Sequence, residues 1–194
     1  MKEIILFDGS SFNGWRSVGG GAVNWELADG CMTVKPGSGN IVSEEVYGDA
    51  YLHLEWMEPD MPGASGQSKG NSGVYIQGRY EIQVLDSYGV KNPDKGDCGA
   101  IYAVSAPLTN ACKPALEWQC YDIIFRAPRF DAEGKKTENA RITILQNGIP
   151  VQNNLELPSF TGGPLEANET AEGPLMLQDH GDRVKFRNIR LYKF

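Results

Sequence analysis

Apolar residues in this chain recur with a period of two. Nowhere does the 3.6-residue period of a helix persist for three turns. Period two demands strands, because alternate side chains of an extended chain share a face. Tyr51-Leu52-His53-Leu54-Glu55-Trp56 is a clear case: Leu52, Leu54 and Trp56 face one way, and Tyr51, His53 and Glu55 the other. Asp29-Gly30 and Asn147-Gly148 each lie between β-prone runs, where glycine supplies the positive φ of a tight hairpin turn. Ile4–Phe7 reads as the opening strand, and 174–178 and 184–192 as the last two. Asn40–Ser43 reads as a short strand and Gly99–Val104 as another; Leu155–Pro174 reads as a polar surface loop. Gly and Pro number 23 and 11 without a repeat, as expected of many short strands joined by turns. The pattern predicts an all-β protein, a jelly-roll β-sandwich of two antiparallel sheets built from about a dozen strands. Residues 1–194 read as a single domain of this kind.

Charge narrows the partners. A net charge of −7 without a basic cluster argues against nucleic acid and against anionic membrane. No apolar run approaches the length of a membrane-spanning helix. The opening MKEIILFDGS lacks the features of a signal peptide. The expected location is the cytoplasm if Met1 is the native start, and the periplasm or exterior if a leader was removed. Cys31, Cys98, Cys112 and Cys120 form no CxxC pair, so a zinc ribbon is not expected. They read as packed free thiols, with a Cys98–Cys112 bridge as the alternative for an exported protein. No nucleotide cofactor is expected.

The most informative stretch is Asn71–Asp86. Val74 and Ile76 share an apolar face with Ile82 and Val84, while Tyr75 and Gln77 lie opposite with Glu81 and Gln83. An outer face of amides, a carboxylate and an aromatic ring suits a hydroxyl-rich ligand; an ordinary solvated sheet face is the simpler reading. The irregular loops 58–70 and 87–98 flank this stretch and read as cleft walls.

Several segments, in order, carry a resemblance: Leu6–Gly9 with Gly14-Trp15, Asn71–Tyr75, Tyr80–Asp86, Gly99–Tyr102, Lys113-Pro114 with Glu117-Trp118, Asn147-Gly148, Gly173–Gly181 and Val184–Arg190. Together they resemble the 3-keto-disaccharide hydrolase family. The resemblance spans nearly the whole chain. It implies a concanavalin A-like jelly roll and action on sugars oxidised to a ketone at C3. The chain departs from the family pattern at Gln77, where a long side chain such as Arg is common, and at Gln119, where Asn is usual.

A 3-keto sugar has an acidified C2 proton. A base that removes it allows the C1 group to leave by β-elimination, and water then adds back. Glu81 is the candidate base and His180 its candidate acid–base partner, since histidine titrates near neutrality. A divalent metal ion bridging the C2 and C3 oxygens would stabilise the enediolate, with Glu81, Asp86 and His180 as candidate ligands. Asn71, Ser72, Gln83 and Gln178 are candidate hydrogen-bonding contacts to an oligosaccharide or glycoside, Tyr75, Tyr102 and Trp118 candidate stacking platforms, and Lys113 a candidate for polarising the carbonyl. Each has a structural alternative: Asp86 as a loop cap, His180 as a turn residue, the aromatics as core, Lys113 as surface. His53 and Glu55 read as a surface pair, and Arg187 as a sheet tie. A two-carboxylate glycosidase and a non-catalytic lectin-like module are the competing functions.

Overall fold

The computed structural model describes residues 3–194. Its strands are β1 (Glu3–Phe7), β2 (Trp15–Ser17), β3 (Glu26–Ala28), β4 (Cys31–Thr33), β5 (Ile41–Tyr47), β6 (Ala50–Met57), β7 (Ser72–Ile76), β8 (Tyr80–Val84), β9 (Gln119–Arg126), β10 (Arg129–Phe130), β11 (Lys136–Glu138), β12 (Ala140–Gln146), β13 (Ile149–Leu157), β14 (Gly173–Leu177) and β15 (Lys185–Lys193). One sheet runs β13-β12-β9-β6-β15-β4-β3, with β1 also paired to β15; the other runs β2-β5-β14-β7-β8. The pairings within both are antiparallel. The two sheets form the jelly-roll sandwich that the alternation predicts.

The core lies between the sheets. Leu52, Leu54 and Trp56 of β6, Tyr121, Ile123 and Phe125 of β9, and Ile142 and Ile144 of β12 all point inward. They meet Val74, Ile76, Ile82 and Val84 of the smaller sheet. Trp56 and Tyr121 pack with ring centroids 4.1 Å apart. Tyr121 also spans the sandwich: its hydroxyl donates to the Gln83 carbonyl at 2.6 Å.

Asp29-Gly30 and Asn147-Gly148 turn as expected, with φ of 54° and 73°, and 54° and 79°. Three segments depart from the sequence reading. Gln77 is not a strand residue. It adopts φ 53° in the β7–β8 turn, and its buried amide donates to the Tyr47 carbonyl at 2.9 Å. Gly99–Val104 is not a strand either. It is a coiled segment docked on β8 through an Ile82–Ile101 bridge, with Ala103 at φ 60°. Strand β13 extends to Leu157, so the long polar loop begins three residues later than the sequence suggests.

The burial pattern marks one place as special. Strands β6, β9 and β12 alternate between buried and half-exposed, as sheets wet on one side should. Every residue of β7 and β8 is buried. Something covers the outer face of this hairpin.

Candidate functional site

Loops cover it, and a cleft of about 250 Å³ remains between them. Tyr75 and Gly73 of β7 pair with Glu81 and Gln83 of β8, so all four share the outer face. Gln178, just past β14, donates its backbone N–H to the Gly73 carbonyl at 3.0 Å and brings His180 alongside. The cleft is lined by Gln67, Asn71, Tyr75, Glu81, Gln83, Tyr102, Gly162, Gly163, Gln178 and His180. Glu81 is the only carboxylate among them.

Gly73 is the floor. A Cβ built there would lie 2.6 Å from Glu81 Oε1, 2.9 Å from Tyr75 Cε2 and 3.2 Å from Gln178 Oε1. The missing side chain is what lets the carboxylate lie across the sheet. Glu81 is 4% exposed. Burial pushes its carboxyl up to about 7, with the Tyr75 hydroxyl partly offsetting this. Burial, reinforced by the nearby Glu81 carboxylate, pushes the Tyr75 phenol up in turn. Tyr75 donates to the Gly162 carbonyl and accepts from Gln178 Nε2, both at 3.2 Å. Gln178 Oε1 is buried and has no hydrogen-bond partner among the described residues. An orphaned carbonyl oxygen and a carboxylate oxygen over one glycine make a spot that favours a proton or a cation.

Neighbouring groups hold the cleft in shape. Gln83 Nε2 donates to Asn71 Oδ1 at 3.2 Å, and Asn71 Nδ2 to the Gln67 carbonyl at 2.8 Å. Thr161 Oγ1 accepts from the Glu81 N–H at 2.9 Å, fixing the backbone beneath the carboxylate. The Tyr102 N–H donates to the Glu81 carbonyl at 3.1 Å.

Of the expected site residues, Glu81, His180, Asn71, Tyr75, Gln83, Tyr102 and Gln178 therefore converge. Four do not line the cleft. Ser72 Oγ donates to the Gln178 carbonyl at 2.7 Å, which ties β7 to the end of β14. Asp86 is paired with Lys69 at 2.9 Å, its side chain only 3% exposed. Trp118 and Lys113 belong to the approach to β9, in the other sheet. There Trp118 is stacked under the Arg187 guanidinium at 3.8 Å, and Lys113 Nζ donates to the Trp118 carbonyl at 3.0 Å. The expected wall 87–98 contributes no lining residue, although the Gly96 carbonyl holds Gln67 at 2.7 Å. The second wall is instead the 161–165 loop, which carries no periodicity and no motif. Gln67 lies in a loop the sequence did mark, but nothing singles it out there.

The metal triad Glu81–Asp86–His180 does not assemble, because Asp86 is committed to Lys69. Among the described residues no three His, Cys, Asp or Glu side chains group as metal ligands. The groups beside one another that could hold a cation are Glu81 and the unpaired Gln178 Oε1, both over Gly73; His180 lines the same cleft. All four cysteines are free thiols.

Three comparisons bear on this cleft. Residues 2–192 match the 3-keto-alpha-glucoside-1,2-lyase-like domain family. A Bacteroides thetaiotaomicron protein named 3-keto-disaccharide hydrolase is 28% identical, over 97% of this chain and 77% of its own length. A candidate glycosyl hydrolase of Parabacteroides distasonis, solved by crystallography, superimposes with a TM-score of 0.90 at 38% identity, covering 99% of this chain and 84% of that one. A second such protein from the same organism, 22% identical with a TM-score of 0.74 over 99% of this chain and 94% of that one, shares the fold.

Proposed function

We propose that this chain, which belongs to the 3-keto-alpha-glucoside-1,2-lyase-like domain family, is a glycoside-cleaving enzyme that acts on disaccharides carrying a ketone at C3. The observation that supports it is Glu81: the sole carboxylate lining the cleft, buried over Gly73, with its carboxyl raised to about 7. A carboxyl raised that far is about half ionised at neutral pH, and its ionised form is basic enough to take a carbon-bound proton that a ketone has acidified.

In the proposed reaction Glu81 removes the proton from C2. The electron pair moves through the C2–C3 bond onto the ketone oxygen as an enolate. It then returns to form a C1–C2 double bond as the C1–O bond breaks. His180, exposed at the cleft rim, protonates the departing oxygen. Water adds to C1 of the conjugated enone, the Glu81 carboxyl exchanges its proton with solvent and then protonates C2, and the sum is hydrolysis. Asn71, Gln83 and Gln178 offer hydrogen bonds to the ring hydroxyls, and Tyr102 a platform for its apolar face. A divalent cation held by Glu81, His180 and Gln178 Oε1 would supply Lewis-acid stabilisation of the negative oxygen.

The single lining carboxylate also weighs against double displacement, which needs two carboxyl groups about 5–5.5 Å apart. The test is cleavage of a 3-keto disaccharide in deuterated water, with and without a chelator. Elimination followed by hydration puts deuterium at C2 of the released 3-keto sugar. Release without deuterium at C2 refutes the mechanism, and no release under either condition refutes the activity. Activity that survives prolonged chelation refutes the metal.

A further inference from the structure

The outer face of the smaller sheet carries a second cavity of about 430 Å³, lined by Arg16, Glu44, Arg79, Glu166 and Thr170 among others. Register puts it on the same face as the cleft: Arg16 pairs with Val42, Val42 with Met176, Met176 with Tyr75, and Tyr75 with Glu81. A ridge separates the two. Val42, Met176 and Tyr75 form a small apolar cluster apart from the main core, and Leu165 and Val18 pack onto it. Leu165 lines the larger cavity, while Gly162 and Gly163 of the same loop line the cleft.

The loop is fastened down. Thr161 N–H and Oγ1 both donate to the Arg79 carbonyl, at 3.0 and 3.1 Å. The Leu165 N–H donates to the Gly78 carbonyl at 2.7 Å. Arg79, itself 3% exposed, holds the far end: its Nε donates to the Asn168 carbonyl at 2.6 Å and its Nη2 to Glu166 Oε2 at 3.0 Å. Five hydrogen bonds to one hairpin describe a fixed wall rather than a mobile lid.

A cleft of about 250 Å³ falls below the roughly 300–1,000 Å³ typical of sites for larger ligands, so one sugar ring is its natural load. We propose that Leu165 is a specificity-determining residue that closes the cleft on its β14 side, so that the protein accepts a chain-terminal ring and refuses a ring substituted on both sides. The inference rests on the proposed function. It adds that the enzyme acts from a chain end, and it names the residue responsible.

The test compares two substrates: a disaccharide with the ketone on its non-reducing ring, and a trisaccharide with the ketone on the middle ring. Wild type is expected to favour the first by at least 100-fold in kcat/KM. Leu165→Ala, which opens the ridge toward the second cavity, is expected to lower that preference at least tenfold, and Leu165→Met to restore it. Equal wild-type rates on the two substrates overturn the inference and leave the activity standing. An unchanged preference in folded Leu165→Ala overturns the role of Leu165. Should that variant fail to fold, Leu165→Val serves in its place, with a smaller loss of preference expected and the same reading of no change. Failure of wild type to bind or cleave either substrate overturns the proposed function, and this inference with it.

Discussion

Replacing Glu81 by Gln separates the cost of this carboxylate from its use. Its carboxyl is raised from an ordinary 4.5 to about 7 because burial disfavours the charged form. At about 1.4 kcal/mol per pH unit, holding the ionised form in the fold costs about 3 kcal/mol. The sign follows from the proton count. Between 4.5 and about 7 the folded protein binds more protons at this site than the unfolded chain, so wild-type stability falls as pH rises through that window. The penalty is absent below 4.5 and complete above about 7. Glu81→Gln cannot ionise and escapes it. Glu58 is buried, accepts from Trp56 Nε1 at 2.7 Å, and is likewise pushed up to about 7. It is present in both proteins, so it cancels from the difference. Thermal melts at pH 4.5 and 8.5 check the point. For a chain of this size about 3 kcal/mol corresponds to roughly 6–12 °C. The Tm of the variant, relative to wild type, should rise by an amount of that order between the two pH values. Activity should move the other way, with turnover of a 3-keto disaccharide lost at both. A Tm difference that does not change with pH, or that reverses, refutes the buried carboxyl raised to about 7 on which the proposed function rests.

Two further substitutions probe the supports of the cleft. Gly73→Ala puts a methyl group 2.6 Å from Glu81 Oε1; with φ outside the left-handed region the backbone tolerates it, so a folded protein with kcat/KM down more than tenfold and about 1–3 kcal/mol less stable is expected, and unaltered kinetics would show that the carboxylate need not lie there. Tyr121→Phe deletes the 2.6 Å bond to the Gln83 carbonyl and should cost about 1 kcal/mol in urea unfolding, whereas unchanged stability would mean the link between the sheets contributes nothing.

What the sequence disclosed and what it withheld divide along a physical line. Tyr75, Glu81 and Gln83 were readable because strand alternation assigns a face without any knowledge of the partner strand. Gln178 and His180 were readable for the same reason, being two apart at a strand end. Tyr102 reaches the cleft although its segment is not a strand, because its N–H is tied to the Glu81 carbonyl. Trp118 and Lys113 were misplaced because alternation says which side of a sheet a residue occupies but not which sheet. Asp86 went to Lys69, a local ion pair that no periodicity reports. The 161–165 wall was invisible for a stronger reason. Its position is set by hydrogen bonds to Arg79 and Gly78, more than eighty residues away in sequence, and loops docked at such range leave no pattern of their own.

The docking of 99–105 on β8 has a consequence for how this protein can change. β8 is the last strand of its sheet, and an uncovered last strand is a template for pairing with other molecules. Ile101 bridges Ile82, and the Ala100 carbonyl accepts the Gln83 N–H at 3.0 Å, so the segment that presents Tyr102 to the cleft also occupies that edge. Protection of the sheet edge and the lining of the cleft thus rest on the same few residues. A variant that loosens this segment to admit a bulkier ligand also frees a row of backbone donors and acceptors for intermolecular sheet growth. Selection for new specificity at this wall is therefore selection against aggregation as well, and the tolerated changes should concentrate in side chains, with the backbone of 99–105 left in place.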